Sequence, residues 1–181
     1  MRYLSVVLSL LMVPTLAAAQ GKLTPRPLGP IAAETFALAL EGSAVVRALV
    51  ERLETSNVIV HIVTTPKMPG GIGGMTRFVT SRGGYRYLRI TLGSDLGLRA
   101  RSAILGHELK HACEVADSSA DDAPSMRELF ENEGHLIGPY FDTSAAIATE
   151  RRVLLELQTR RSPRLRPGPA LQAEPVAKFD H

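Results

Sequence analysis

The 181-residue sequence contains few cysteine and aromatic residues. Cys113 is its single cysteine, which excludes an internal disulfide bond. Tryptophan is absent and aromatic residues make up 5% of the chain, whereas hydrophobic residues make up 45%. We therefore expect a core of Leu, Val, Ile and Ala that is stabilised by packing.

The N-terminal apolar run is shorter than the stretch of about 20 residues that a transmembrane helix needs. Residues 1–19 instead have the three parts of a secretory signal peptide. These are the basic Arg2, the apolar residues 4–16, and three alanines at 17–19 before Gln20. An uncleaved membrane anchor is the alternative, but the Ala-x-Ala site favours cleavage. The sequence thus predicts a periplasmic or secreted protein, with no stable membrane insertion after cleavage.

The net charge of the chain is small, +3 at neutral pH. Removal of Arg2 with the signal peptide leaves about +2, which gives no support for nucleic acid as a partner. The arginines of residues 160–181 are interspersed with prolines and show no periodicity. We interpret this segment as a disordered Pro/Arg-rich tail whose charges are solvated.

Between these ends, residues 20–30 are an extended lead-in and residues 31–159 form one predicted domain. Hydrophobic periodicity and turn residues divide the domain into helices and strands. The predicted helices are residues 31–55 with a break at Gly42-Ser43, 98–115, 125–133 and 143–159, and the predicted strands are residues 58–63, 75–80 and 85–92. This order predicts an α+β fold with a small sheet of three or more strands covered by helices.

The predicted helix of residues 98–115 carries the motif His107-Glu108-Leu109-Lys110-His111. A helical turn takes about 3.6 residues, so the two imidazoles leave the same side of the helix and can reach one ion. The predicted apolar stripe of this helix is Leu105, Leu109, Ala112 and Ala116. The histidines point away from Leu105 and Leu109, as residues facing a cleft should. Random placement of this composition gives roughly 0.01 such motifs in the chain. The sequence therefore predicts a zinc site at His107 and His111.

Glu108 lies between the two predicted ligands. In a zinc peptidase, a glutamate at this position takes a proton from the water that zinc activates and passes it to the leaving amine. The sequence thus predicts Glu108 as the catalytic general base.

The motif, preceded by three strands and a helix, resembles the zincin metallopeptidase family. The resemblance implies that the motif helix packs under a sheet whose edge strand binds a peptide or protein substrate. Most of residues 43–157 is also similar to a group of small exported bacterial zincin-like proteins. The similar segments are Ser56-Asn57-Val58-Ile59-Val60, Tyr85-Arg86-Tyr87-Leu88-Arg89-Ile90, Leu105 to Ala112, Glu114-Val115-Ala116 and Asp142-Thr143-x-Ala145-Ala146.

The third metal ligand has three candidates. Glu131 follows His111 by 20 residues, a spacing similar to one branch of the zincins. Glu114 lies within about 20° of His107 on the helical wheel but about 4.5 Å beyond His111 along the axis, which favours a supporting contact to His111. Asp142 precedes the last helix, where an N-cap role and a ligand role are equally expected. The resemblance favours Glu114 and Asp142, whereas the spacing favours Glu131.

His135 and Tyr140 are candidate stabilisers of a developing oxyanion. The motif as a whole predicts an exported zinc metallopeptidase that hydrolyses peptide bonds. The alternative is a zincin-like envelope protein that binds a metal or a partner without catalysis. Glu108 favours the enzyme, because a site that only binds a metal has no need of a base. Neither the substrate nor the oligomeric state follows from the sequence.

Overall fold

The computed structural model describes residues 25–137 and 140–159. The predicted signal peptide, residues 1–19, and the predicted tail, residues 160–181, lie outside the described residues. The described helices are α1 (Pro30–Gly42), α2 (Ala44–Glu54), α3 (Leu98–Asp117), α4 (Ala123–Glu133) and α5 (Ser144–Thr159). The described strands are β1 (Arg26–Pro27), β2 (Val58–Thr65), β3 (Gly74–Arg82), β4 (Tyr85–Gly93), β5 (His135–Ile137) and β6 (Tyr140–Asp142).

Four strands form a mixed sheet in the order β1-β2-β4-β3. Strand β2 runs parallel to β1 and β4, whereas β3 runs antiparallel to β4 and is an edge strand of the described sheet. Strands β5 and β6 form a separate antiparallel hairpin. The α+β class is confirmed. Strand β1 lies within the segment predicted as an extended lead-in.

The even-numbered residues of β2 and β4 face the helices. Their alternation with odd-numbered residues is that of strands with one buried face. The residues of this inner face that are at most 1% exposed are Val58, Val60, Ile62, Leu88, Ile90 and Leu92. Helix α3 packs against this face and completes the core with Leu105, Leu109 and Ala112, as predicted. Ala116, the fourth residue of the predicted stripe, is only half-buried.

Helix α5 packs closely against α3 at Gly106. A Cβ atom at Gly106 would lie 2.7 Å from Cγ2 of Val153, so only glycine allows this approach. Val153 is fully buried. The contact fixes α5 beside the motif helix and brings Glu150, one turn before Val153, towards His107.

Some predicted boundaries and caps are wrong. The last helix is capped by Thr143, whose Oγ1 accepts from the Ala146 N–H at 3.1 Å, and Asp142 is not the cap. Helix α4 begins at Ala123 rather than at residue 125, because Asp122 forms a capping box with Ser125. The β5–β6 hairpin was not predicted. Its placement just before α5 leaves the Asp142 side chain available to the motif helix.

Candidate metal centre

The two motif histidines lie on one side of α3, as predicted. Their Nε2 atoms are 3.2 Å apart, and the imidazole rings meet edge to face. Both side chains are mostly buried, with exposures of 12% for His107 and 9% for His111. Phe130 of α4 packs against the His111 ring at a centroid distance of 4.8 Å. This contact with Phe130 holds the His111 ring in place.

Asp142, at the end of β6, adds a third atom that could ligate a metal ion, beside the two histidine Nε2 atoms. We call these three atoms the donor atoms. Oδ1 of Asp142 lies 3.2 Å from His107 Nε2 and 3.4 Å from His111 Nε2. Neither contact has hydrogen-bond geometry, and Oδ1 is a buried atom without a hydrogen-bond partner. Buried polar atoms are normally satisfied, and a cation at the point where the three atoms converge would satisfy Oδ1. The group His107, His111 and Asp142 could hold a metal ion.

A second carboxylate stands behind each histidine. Oε2 of Glu114 lies 2.8 Å from His111 Nδ1, and Oε1 of Glu114 accepts from the Thr143 hydroxyl at 2.9 Å. Oε2 of Glu150 lies 3.2 Å from His107 Nδ1, although this contact lacks hydrogen-bond geometry. With Nδ1 facing a carboxylate in each ring, both Nε2 atoms are left to face the metal position. Such partners orient the rings and raise their basicity as ligands.

The electrostatics of the cluster favour the protonated, positively charged form of both histidines. Burial disfavours the charged imidazoles, but close contacts with Asp142 and with Glu150 or Glu114 outweigh it. They raise the pKa of His107 to about 10 and the pKa of His111 to about 9. Asp142 is also partly buried, yet its contacts with the two histidines hold its pKa well below the usual range. A metal ion that binds here replaces protons on the histidines.

Glu108 is buried on the same helix, with 5% of its surface exposed. The Thr76 hydroxyl of β3 donates to Glu108 Oε2 at 2.7 Å. A Cβ atom at Gly74 would lie 2.9 Å from Glu108 Oε1, so glycine allows β3 to approach this carboxylate. Burial raises the pKa of Glu108, and the neighbouring histidines and Thr76 oppose the rise.

The histidines, Asp142 and Glu108 line one cavity of about 430 Å³. The start of β3 borders it on one side, the β5–β6 hairpin borders it on another, and Glu150 of α5 reaches its wall. The residues that line it are Ile72, Gly73, Gly74, Met75, Thr76, Ile104, His107, Glu108, His111, Arg127, Phe130, Tyr140, Phe141, Asp142 and Glu150. Tyr140, a candidate oxyanion stabiliser, is thus in the cavity.

Two other sequence candidates lie away from the three donors. Glu131 is exposed on α4, where its Oε1 contacts Arg127 Nε at 3.1 Å, and it is not part of the donor group. His135 is exposed on β5 and does not line the cavity. Among the described candidates, Asp142 therefore takes the position of the third donor, and Glu114 supports His111.

Sequence reasoning missed Thr76 and Glu150. Thr76 belongs to an ordinary strand pattern, and only the packing of β3 on α3 brings its hydroxyl to Glu108. Glu150 lies on the helix that was predicted, but its contact depends on the close approach at Gly106. No sequence motif marks either residue. Cys113 is buried and does not belong to the donor group.

No helix among the described residues is both long enough and apolar enough to span a membrane. The chain matches no protein-family model, and no curated protein or solved structure is significantly similar to it.

Proposed function

We propose that the protein is a zinc-dependent peptidase with a zincin-like fold, in which His107, His111 and Asp142 hold the metal and Glu108 is the general base. One observation carries the proposal. Three donor atoms from α3 and β6 converge, the buried Oδ1 of Asp142 has no hydrogen-bond partner, and the Glu108 carboxylate lines the same cavity. The predicted signal peptide assigns the activity to the periplasm or the medium.

The separations of the donor atoms suit zinc. The three Nε2 and Oδ1 atoms are 3.2, 3.2 and 3.4 Å apart. Ligands bound to zinc at about 2.0–2.1 Å in a tetrahedron lie about 3.3–3.4 Å from one another. The donors therefore need almost no rearrangement to occupy three of the four positions. The unpaired Oδ1 of Asp142 gains its missing partner when the ion binds.

The chemistry of the donors also favours zinc. Two imidazoles and one carboxylate are typical of catalytic zinc sites, which keep a fourth position open for water or substrate. Calcium and magnesium instead prefer sites made of oxygen ligands. Cys113, which would offer a softer ligand, is outside the group.

Zinc, when bound, supplies a water of lowered pKa and polarises the carbonyl oxygen of a substrate. Glu108 supplies the proton transfer. The Thr76 hydroxyl occupies Oε2, so Oε1 is left to accept a proton from the attacking water and to return it to the leaving amine. Tyr140 lines the same cavity, and its hydroxyl is a candidate donor to the developing oxyanion.

The border of the cavity suits an extended peptide. Strand β3 is an edge strand of the described sheet, and its first three residues line the cavity. An edge strand offers N–H and C=O groups that can pair with an extended chain. The substrate class that we propose is therefore an extended segment of a peptide or protein.

The Glu108→Gln variant tests the proposal, with Glu131→Gln as the matched control on the surface of α4. Both variants should fold and bind about one zinc ion per chain. Hydrolysis of a mixed peptide library should fall at least about 10²-fold in Glu108→Gln, the lower range for loss of a general base, and should be unchanged in Glu131→Gln.

Loss of zinc from Glu108→Gln would show that Glu108 holds the site together and is not the base. Full zinc occupancy of the wild-type protein without cleavage of any library peptide would favour the alternative, a domain that binds a metal without catalysis.

A further inference from the structure

The face of the sheet opposite α3 carries a row of basic side chains, one from each of the four strands. In the strand register, Arg26 of β1 lies beside His61 of β2, His61 beside Arg89 of β4, and Arg89 beside Arg77 of β3. Neighbouring strands lie about 4.8 Å apart, so the four side chains form a single file about 14 Å long. We call these four residues the basic row.

The basic row lies on the outer face because it alternates with the core residues. Arg89 lies between Leu88 and Ile90, which are fully buried, and His61 lies between the buried Val60 and Ile62. Arg26, Arg77 and Arg89 are exposed and His61 is half-buried. Next to the row, Tyr87 stacks on His61 with an angle of 18° between the rings.

No acidic residue compensates the basic row within the sheet. None of the residues of β1, β2, β3 and β4 is Asp or Glu. Elsewhere in the described residues, Arg52, Arg127 and Arg152 are each paired with a carboxylate. The three arginines of the basic row have no such pair among the described residues.

The register of β3 and β4 places two positive charges side by side. Arg77 lies directly opposite Arg89, an arrangement that destabilises a sheet. Repulsion between these like charges lowers the stability of the fold, and no carboxylate among the described residues is paired with the three arginines to offset it. A bound anionic group would offset this cost.

We propose that the basic row is a docking surface for an acidic segment of the polypeptide substrate. This inference rests on the proposed peptidase function and names a property of its substrate. Aspartate and glutamate side chains match the row in charge, and arginine binds carboxylates through two parallel hydrogen bonds.

The position of the row connects it to the cavity. Arg77, at one end of the row, follows Thr76 on β3, and both Met75 and Thr76 line the cavity. A chain that lies along the row can therefore continue over the edge of the sheet to the metal centre. A single file of charges also suits a linear chain, whereas a membrane surface would contact a broad area.

Binding of a labelled acidic peptide to the metal-free protein tests the docking surface without requiring catalysis. The probes are a ten-residue peptide rich in Asp and Glu and its counterpart with Asn and Gln, measured by fluorescence anisotropy. The test variant is Arg77→Gln/Arg89→Gln. The control is Arg99→Gln/Arg151→Gln, which removes two exposed arginines from helices and changes the net charge equally.

The acidic peptide should bind the wild-type protein and the control alike, and the neutral peptide should not bind. The affinity of Arg77→Gln/Arg89→Gln should be about 10-fold lower, since each exposed ion pair contributes modestly. Arg26→Gln, at the far end of the row, should lower the affinity about 3-fold. All variants should melt at or above the wild-type temperature.

Equal losses in the test and control variants would overturn the proposal, because charge alone would then explain binding. Tighter binding of a single-stranded oligonucleotide, or of phosphatidylglycerol vesicles, through the same two arginines would also overturn it. Cleavage of neutral peptides without binding of the acidic peptide would contradict the docking surface and support the peptidase function. Binding without cleavage of any peptide would support the surface and contradict the peptidase.

Discussion

Two buried polar clusters lie along α3, one at its C-terminal end and one in its middle, and they differ in how their polar atoms are satisfied. At the C-terminal end, Arg86 Nη1 donates to the carbonyl oxygens of Val115, Ser118 and Ala120 at 2.7, 2.9 and 3.0 Å. Its Nε and Nη2 both donate to Asn57 Oδ1. Arg86 is 8% exposed, and each nitrogen of its guanidinium has a partner within the protein.

In the cluster in the middle of α3, not every polar atom has a hydrogen-bond partner. Oδ1 of Asp142 has no hydrogen-bond partner, and the two Nε2 atoms of the histidines face each other at 3.2 Å. Buried polar groups that satisfy one another stabilise a fold, whereas a buried polar atom without a protein partner can accept a ligand. The comparison thus separates Arg86, a structural charge at the end of α3, from the candidate metal centre in the middle of this helix.

Replacement of Arg86 by alanine should have the largest effect on stability. It removes the donor to the carbonyl oxygens of Val115, Ser118 and Ala120 and to Asn57 Oδ1, so the free energy of unfolding should fall by about 3 kcal/mol. Arg89→Ala, on the same strand but exposed, should change it by no more than about 0.5 kcal/mol. Urea denaturation of both variants measures the difference. A loss below about 1 kcal/mol in Arg86→Ala would contradict the structural role given to this cluster.

Removal of the metal should have the next largest effect. A zinc concentration 100 times the dissociation constant adds about 2.7 kcal/mol to the stability of a protein that binds zinc only when folded. Calorimetry should therefore show a zinc-dependent rise in melting temperature for the wild-type protein and for Glu131→Ala, but not for Asp142→Ala. If the rise is present in Asp142→Ala and absent in Glu131→Ala, the third metal ligand is Glu131 and not Asp142.

Features that depend only on neighbouring residues in the chain could be predicted from the sequence. The alternation of residues 85–92 and the β-branched residues 58–63 specify strands through their own side chains, and both strands are present. The spacing of His107 and His111 within one helix fixed their common side without knowledge of the fold. The apolar residues of this alternation, Leu88, Ile90 and Leu92, are the ones that are fully buried in β4.

The parts that depend on tertiary packing could not be predicted. The hairpin of β5 and β6 has strands of three residues, which are too short to show an alternating pattern. The choice of Asp142 over Glu131 depends on where that hairpin lies. Asp142 was also equally consistent with an N-cap, a role that Thr143 fills.

The two carboxylates behind the histidines should differ in their effect on zinc affinity. Glu114 is buried and lies at hydrogen-bonding distance from His111, so Glu114→Ala should weaken zinc binding by about 10- to 100-fold. Glu150 is 41% exposed and its contact with His107 lacks hydrogen-bond geometry, so Glu150→Ala should weaken it less. Competition with a chromophoric chelator measures both affinities. The reverse order would mean that His107, not His111, depends on its supporting carboxylate.

The smallest effect is expected at Thr76. Thr76→Val keeps the shape of the side chain but removes the donor to Glu108 Oε2, which should lower the free energy of unfolding by about 1 kcal/mol. Zinc affinity should be unchanged, because Thr76 contacts no member of the donor group. Thr80→Val, exposed on the same strand, is the control in urea denaturation. A marked loss of zinc in Thr76→Val would place Glu108 among the ligands.

X-ray absorption at the zinc edge, on the wild-type protein loaded with one equivalent of zinc, tests the central claim most directly. The account predicts nitrogen and oxygen neighbours at about 2.0–2.1 Å, with the outer scattering of two imidazoles, and the loss of this signal in His107→Ala. A sulfur neighbour at about 2.3 Å, which Cys113 would supply, or an unchanged spectrum in His107→Ala, would contradict it.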